Sequence, residues 1–382
     1  MDAVEPPDIL APITTRPTTR QPVTQRPVTQ RSVTLALEGG GALGAFTWGV
    51  LDRLLDLPDL RIDVVSGSSA GAMNGAMLVQ GLASGGRERA KRLLETFWQR
   101  IAIAAGSLPG PSGLWMQALS GSMAPMLDAV RTLGPALNPG TSTFGVNLLR
   151  GILGELLHPP RFGQLGAPEL VVAATRVRTG EARLFRGSAV SIDVLLASAC
   201  LPQIFPAIEI DGEAYWDGGY SSNPPVRSLI EAGAPQDILI VRTMPSSRPN
   251  LPHGAGAVKD RINEITFGTP LRAELRTLGL AQASLAGMAE LPPALARLRD
   301  ARLHMIMPAD DDVEAAPRRL PSWSLLADLR ARGSAAAERW IEADLPFVGQ
   351  RSSFDLNLFA GANSAVAPAP FNHPWEEPAH AT

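Results

Sequence analysis

One short pattern constrains this chain more than any other: Gly67-Ser68-Ser69-Ala70-Gly71, a G-x-S-x-G string between two apolar runs. Residues 62–65 have the composition of a buried strand, and residues 70–83 that of a buried helix. A serine on a tight strand-to-helix turn projects its hydroxyl away from the sheet, and the flanking glycines avoid clashes at the bend. The pattern therefore predicts that Ser69 is a nucleophile. The alternative is a turn that only caps the following helix.

The elements before this turn predict the fold class. Residues 33–37 form a short apolar run typical of a strand, a glycine loop follows, and 42–57 carries apolar side chains at helical spacing. Together with the strand and helix around Ser69, the first 80 residues alternate strand, helix, strand, helix. Such alternation predicts an α/β fold, in which helices cover a parallel sheet.

The glycine loop, Gly39-Gly40-Gly41-Ala42-Leu43-Gly44, matches G-x-G-x-x-G. A dinucleotide site would need an acidic residue near the end of the second strand, but that strand ends in the serine turn. A phosphate-binding P-loop would need Gly-Lys-Ser/Thr, which is absent. The remaining functional interpretation is an oxyanion hole built from successive glycine N–H groups. A tight connection without a ligand is the alternative.

A nucleophilic serine needs a base, and no histidine lies in a motif-like setting; the five are His158, His253, His304, His373 and His380. Asp217-Gly218-Gly219 is a better candidate, because a carboxylate followed by two glycines can approach another backbone closely. Paired with Ser69, Asp217 would accept the hydroxyl proton and return it to the leaving group. Asp-Gly is also a common turn pair, so an ordinary turn stays the alternative.

Composition excludes several other classes. Net charge is −3 over 382 residues, which argues against a nucleic-acid binder. The single cysteine, Cys200, excludes a disulfide framework. We see neither a run of 18 apolar residues nor an apolar signal segment near Met1, so we expect no transmembrane helix, no secretory signal and a cytoplasmic location.

The chain divides by composition into four parts. Residues 1–32 repeat Arg, Pro, Thr and Gln and are predicted to be disordered, and the Ala/Pro-rich residues 361–382 to be a loose tail. Between them we expect a catalytic domain over 33–245 and a mostly helical extension over 246–360. Within the catalytic domain, 102–143 is rich in Gly, Ser, Pro and Met and is interpreted as a mobile flap that could dock on lipid aggregates.

The three strings occur in the order and context of the patatin-like phospholipase family, which this chain resembles over about 33–245. Residues 197–206, and 173–175 followed by Thr179-Gly180, are similar to further family segments. Residues 261–267 and 271–276 resemble a C-terminal extension of bacterial members. Two positions depart from the usual pattern: Leu43 stands where many members have Arg or Lys, and Ser68 where many have Thr.

The resemblance implies a three-layer α/β/α fold with a mostly parallel sheet, a Ser69–Asp217 dyad, and neither metal nor cofactor. It places Gly39, Gly40 and Gly41 at the oxyanion hole; the other motif glycines are Gly44, Gly67, Gly71, Gly218 and Gly219. The implied activity is hydrolysis of lipid acyl esters, with possible peripheral membrane contact. A carboxylesterase or polyester depolymerase on the same scaffold, or an idle membrane-associated scaffold, stays open, as does the oligomeric state.

Overall fold

The computed structural model describes residues 31–106, 144–309 except 165, 204, 246, 247 and 249, and 321–356. Residues 1–30 of the segment predicted to be disordered, the predicted tail and most of the predicted flap lie outside these ranges. The last two residues of that segment, Arg31 and Ser32, instead begin the first strand. Within them, no helix is long and apolar enough to cross a membrane.

One mixed sheet forms the centre of the described structure. Its strands are β1 (Arg31–Leu37), β2 (Leu60–Gly67), β3 (Glu169–Arg176), β4 (Ala182–Arg186), β5 (Ile208–Ile210), β6 (Glu213–Asp217), β7 (Asp237–Val241) and β8 (Arg302–Ile306). The order is β5-β6-β3-β2-β1-β7-β8, with β4 also paired to β3. The adjacent pairs β3–β2, β2–β1, β1–β7 and β7–β8 are parallel. The pairs β3–β4, β3–β6 and β5–β6 are antiparallel. The predicted mostly parallel sheet is confirmed.

Helices cover both faces of this sheet. They are α1 (Gly44–Leu54), α2 (Ala70–Gly106), α3 (Phe144–Leu156), α4 (Ile192–Ser198), α5 (Val226–Glu231), α6 (Gly254–Leu285), α7 (Pro293–Asp300) and α8 (Trp323–Ala343). Side chains alternate across β1: Val33, Leu35 and Leu37 pack in the cluster that includes α1, α2 and α8, and Ala36 in the cluster that includes α5 and α6. The fold is therefore a three-layer α/β/α sandwich, as expected.

The segment after residue 245 is built into this fold. Its strand β8 extends the sheet beside β7. Its last helix, α8, contacts α1 so closely that a Cβ on Gly49 would lie 1.9 Å from the Arg330 carbonyl oxygen. Arg330 also donates to Asp52 at 2.6 Å and lies 4.4 Å from the centre of the Trp48 ring. This segment both completes the sheet and covers one of its helices.

The register along β3 brings two chain segments together. Gly67, the last residue of β2, pairs with Val172, and Asp217, the last residue of β6, pairs with Ala174. Strand β4 pairs with β3 at both positions, so it occupies the opposite side of β3 from β2 and β6. Strands β2 and β6 therefore run toward each other along one side of β3. The turn after Gly67 and the carboxylate of Asp217 meet at that point.

Candidate active site

Ser69 lies on the turn between β2 and α2, with a φ of 54°. This is the left-handed region, which an L-residue adopts only at a cost of about 1–2 kcal/mol. Its N–H donates to both the carbonyl oxygen and Oγ of Ser198, at 3.1 and 2.9 Å. The side chain is 8% exposed. Tertiary contacts thus hold a strained serine at the start of a helix, where backbone N–H groups point outward.

Two glycines make this turn possible by close approach. A Cβ on Gly71 would lie 2.2 Å from the Leu37 carbonyl oxygen, and one on Gly67 would lie 2.4 Å from the carbonyl carbon of Gly71. Real Cβ atoms do not come so close to backbone. The turn is therefore pressed against the end of β1, next to the glycine loop. Gly44, in α1, has a similar constraint, because its Cβ would lie 2.7 Å from Cβ of Ala70.

Asp217 is 1% exposed, and the Ser69 hydroxyl lies close enough to its carboxyl to lower the pKa of that carboxyl. Its Oδ1 also accepts from the Gly219 N–H at 2.8 Å, and its own N–H donates to the Cys200 carbonyl at 2.8 Å. Burial raises the pKa of Asp217 to about 7, although the hydrogen bond from Gly219 and the nearby Ser69 hydroxyl oppose that rise. A carboxyl group in this state can accept a proton near neutral pH.

The glycine loop contacts the serine turn directly. A Cβ on Gly39 would lie 2.8 Å from Cβ of Ser69. The Gly39 N–H donates to Oδ1 of Asn223 at 2.7 Å, so this amide is already occupied. The N–H groups of Gly40 and Gly41 make no hydrogen bond to another residue of the described part. Of the three predicted oxyanion donors, Gly40 and Gly41 therefore remain available, and Gly39 does not.

Ser69 opens onto an apolar cleft. Its lining includes Gly41 beside the serine and the side chains of Ala42, Met73, Phe97, Trp98, Ile101 and Leu149. A cleft of this composition can hold a hydrocarbon chain against the serine hydroxyl. The described residues contain no group of three or more His, Cys, Asp or Glu that could hold a metal ion.

The histidines of the described part lie in other settings. His304 is buried in β8, with Nε2 3.0 Å from Asp237 and Nδ1 3.0 Å from Ser353. The His158 N–H donates to Gln80. His373 and His380 lie outside the described residues. In the described part, the recorded partners of Ser69 and Asp217 include no histidine.

Sequence analysis missed four residues that hold the site. Ser198 accepts from the Ser69 N–H, and Ser68 donates to the Ser222 carbonyl at 2.5 Å. Asn223 and Thr243 bind the two sides of Gly39. Asn223 lies six residues after Asp217, and Thr243 is the second residue after β7, the strand that neighbours β1. The position of Thr243 just past a parallel strand is a signal that could have found it, since carboxyl ends of parallel strands share an edge. Asn223 lies beyond the turn after Asp217 and carries no such signal.

Comparison with known proteins decides the family. The model of the patatin-like phospholipase family matches residues 35–230, more than half of the chain. The chain belongs to the patatin-like phospholipase family. This patatin-like chain therefore carries the domain of a lipolytic acyl hydrolase. The matched residues include Ser69, Asp217 and the glycine loop.

Two other comparisons add less. The crystal structure of VipD from Legionella pneumophila aligns with 82% of this chain and 67% of its own, at 16% identity and a TM-score of 0.40. No curated protein matches the sequence of this patatin-like chain.

Proposed function

We propose that this chain hydrolyses acyl esters of lipids with a Ser69–Asp217 dyad. One observation carries the proposal: a strained serine lies beside a buried carboxyl whose pKa is raised to about 7. Ordinary turn aspartates are solvated and ionise near pH 4. Burial makes Asp217 a stronger base, which a serine hydroxyl requires.

The reaction would proceed in two halves. Asp217 accepts the Ser69 proton as Oγ attacks the ester carbonyl carbon, which forms a tetrahedral oxyanion. The carbon–oxygen bond to the leaving alcohol then breaks, and Asp217 returns the proton to that alcohol. Water, deprotonated by Asp217, attacks the acyl-serine and releases the fatty acid together with the free Ser69 hydroxyl.

The N–H groups of Gly40 and Gly41 would bind the oxyanion in both halves. Gly39 is left out because its N–H is held by Asn223. Each preorganised donor is worth on the order of 3 kcal/mol of transition-state stabilisation. The apolar cleft beside Gly41 would take the acyl chain, which fits an ester of a fatty acid.

A fluorophosphonate probe tests the nucleophile. Such probes phosphorylate an activated serine, so we expect labelling of the native chain and none of Ser69→Ala. Ser66→Ala is the matched control, because the Ser66 hydroxyl is buried without a hydrogen-bond partner three residues earlier. Equal labelling of Ser69→Ala and the native protein would contradict the proposal.

A substrate panel then separates phospholipids from simple esters. We expect turnover of long-chain acyl esters, since the cleft is apolar. Fast turnover of short-chain esters with inert phospholipids would favour a carboxylesterase on the same scaffold. The cytoplasmic location, the peripheral membrane contact and the division at residue 245 stay predictions.

A further inference from the structure

We propose that Thr243 and Asn223 are positioning residues for the oxyanion hole, because together they hold the two peptide groups that flank Gly39. The inference rests on the proposed function, in which Gly40 and Gly41 donate to the oxyanion. Thr243 follows β7, and Asn223 follows the loop that carries Asp217. Three segments that are distant in sequence therefore meet at a single glycine.

Thr243 sets the direction of the Gly40 N–H. Its hydroxyl donates to the Gly39 carbonyl oxygen at 2.9 Å. In a trans peptide, the carbonyl and the next N–H lie in one plane and point in opposite directions. A hydroxyl that fixes the Gly39 carbonyl therefore fixes the Gly40 N–H on the other side of the same peptide. The contact is close, since a Cβ on Gly40 would lie 2.6 Å from Thr243 Oγ1.

Glu38 does not draw the Thr243 hydroxyl away from Gly39. The hydroxyl has one proton and two acceptors in range, the Gly39 oxygen at 2.9 Å and Oε2 of Glu38 at 3.4 Å. That carboxylate oxygen already accepts the N–H groups of Thr243 and Met244, at 2.7 and 3.1 Å. The proton therefore goes to the nearer Gly39 carbonyl. Glu38 is fully buried and Thr243 is 2% exposed, so water does not compete.

Asn223 holds the preceding peptide. Its Oδ1 accepts the Gly39 N–H at 2.7 Å, and its Nδ2 donates to the Phe267 carbonyl at 3.1 Å. The two contacts need opposite ends of the amide, so its orientation is fixed. Asn223 is fully buried, which makes both hydrogen bonds costly to lose.

Helix α6 supports this arrangement from beyond the family match, which ends at residue 230. Its Phe267 accepts from Asn223, and a Cβ on Gly219 would lie 2.5 Å from the Phe267 ring. Its Glu274 accepts from the Ser222 hydroxyl and the Arg227 N–H, both at 2.9 Å. The same helix thus braces the Asp217 loop and, through Asn223, the glycine loop.

The test compares three substitutions at buried threonines. Thr243→Val removes the hydroxyl at constant shape, and Thr243→Ser keeps it. Thr34→Val is the matched control, because the Thr34 hydroxyl is fully buried in β1 without a hydrogen-bond partner. Active enzyme is counted by fluorophosphonate titration, so that unfolded protein does not affect the rates.

We expect Thr243→Val to lower kcat about 10- to 100-fold, less than the about 100- to 1,000-fold for losing an oxyanion donor outright. KM for a soluble ester should change less than about twofold, because the acyl cleft is untouched, and inactivation by the probe should slow in parallel with kcat. Thr243→Ser should restore most of kcat, and Thr34→Val should match the native enzyme. A role in stability alone would leave kcat per titrated site unchanged.

A native kcat in Thr243→Val would overturn this inference while the dyad stands. Equal labelling of Ser69→Ala and the native protein would instead overturn the proposed function. Should Thr243→Val fail to fold, Thr243→Ala compared with Thr243→Ser isolates the same hydroxyl, and equal kcat in that pair would refute the positioning role.

Discussion

Two aspartates are buried at opposite edges of the sheet; each accepts a glycine N–H, but their side-chain partners differ. Asp217 ends β6 at the carboxyl edge, where it accepts a backbone N–H and lies beside the Ser69 hydroxyl. Asp237 begins β7 at the other edge, where it accepts from Arg302 at 2.6 Å, His304 at 3.0 Å and the Gly349 N–H at 2.9 Å. Among the described residues, Asp237 has a cationic partner and Asp217 has none.

The pKa values of the two groups follow from these partners. Burial by itself would raise the pKa of Asp237, but hydrogen bonds from His304 and Arg302 outweigh it and lower that pKa well below its usual range. Burial raises the pKa of Asp217 to about 7, because neutral donors compensate only part of the desolvation. An aspartate that serves stability is supplied with positive charge. A buried aspartate without a cationic partner has a raised pKa and stays basic. Such raised pKa values are typical of functional sites.

The largest expected effect comes from replacing each aspartate by its amide. Asp217→Asn removes the base and should lower turnover at least about 1,000-fold. Asp237→Asn leaves the site intact and should keep kcat within about threefold per titrated site. Steady-state kinetics with an active-site titrant measures both. A comparable loss of kcat in the two variants would show that the difference in hydrogen-bond partners does not distinguish a catalytic aspartate from a structural one.

The second prediction concerns the free energy of unfolding, which Asp237→Asn should lower although it leaves turnover nearly unchanged. Asp237→Asn leaves Arg302 without its ion pair and should cost about 3 kcal/mol of unfolding free energy at pH 7. Because the pKa of Asp237 is lowered in the fold, its stabilisation is present above about pH 4 and is lost as pH falls below that range. Denaturant unfolding of native and variant protein should therefore converge in acid. A constant difference across pH would contradict the role of the charge.

Asp217→Asn should stabilise the protein, which is the third prediction. The raised folded pKa means that the native Asp217 binds its proton more tightly than the unfolded chain does. Its cost is absent below about pH 4, grows as pH rises to about 7, and is complete above that. The variant should thus gain on the order of 2–4 kcal/mol at pH 8 and little at pH 4. A variant that is less stable at pH 8 would show that Asp217 is not a buried, uncompensated carboxyl.

Much of this site was predictable from sequence because its parts are local patterns. The serine turn, the glycine loop and the Asp-Gly-Gly turn each need glycine where backbones touch, as at Gly71 and Gly39. The order of strands and helices predicted the parallel sheet, covered by helices, that carries them. The fold class and the family followed from the same strings.

The rest depends on contacts between distant segments of ordinary residue types. Nothing in the sequence shows that Asn223 takes the Gly39 N–H, so the three loop glycines were indistinguishable as oxyanion donors. Thr243 acquires its role only because β7 pairs with β1, where Leu37 lies opposite Val241. Asp237 is the first residue of β7, and its partner Arg302 comes from β8, 65 residues later.

The smallest expected effect is the pH dependence of the reaction. Because Asp217 must be ionised in the free enzyme, kcat/KM for a soluble ester should fall tenfold per pH unit below an apparent pKa of about 7. If the base were an exposed aspartate, this acidic limb of the pH–rate profile would lie near pH 4. A histidine base would also give a limb near neutrality, so the position alone is ambiguous. The limb should therefore stay in place in each single His→Ala variant and in Asp237→Asn. If it moved in one histidine variant, that histidine would replace Asp217 as the base, and the contrast between the two aspartates would lose its catalytic meaning.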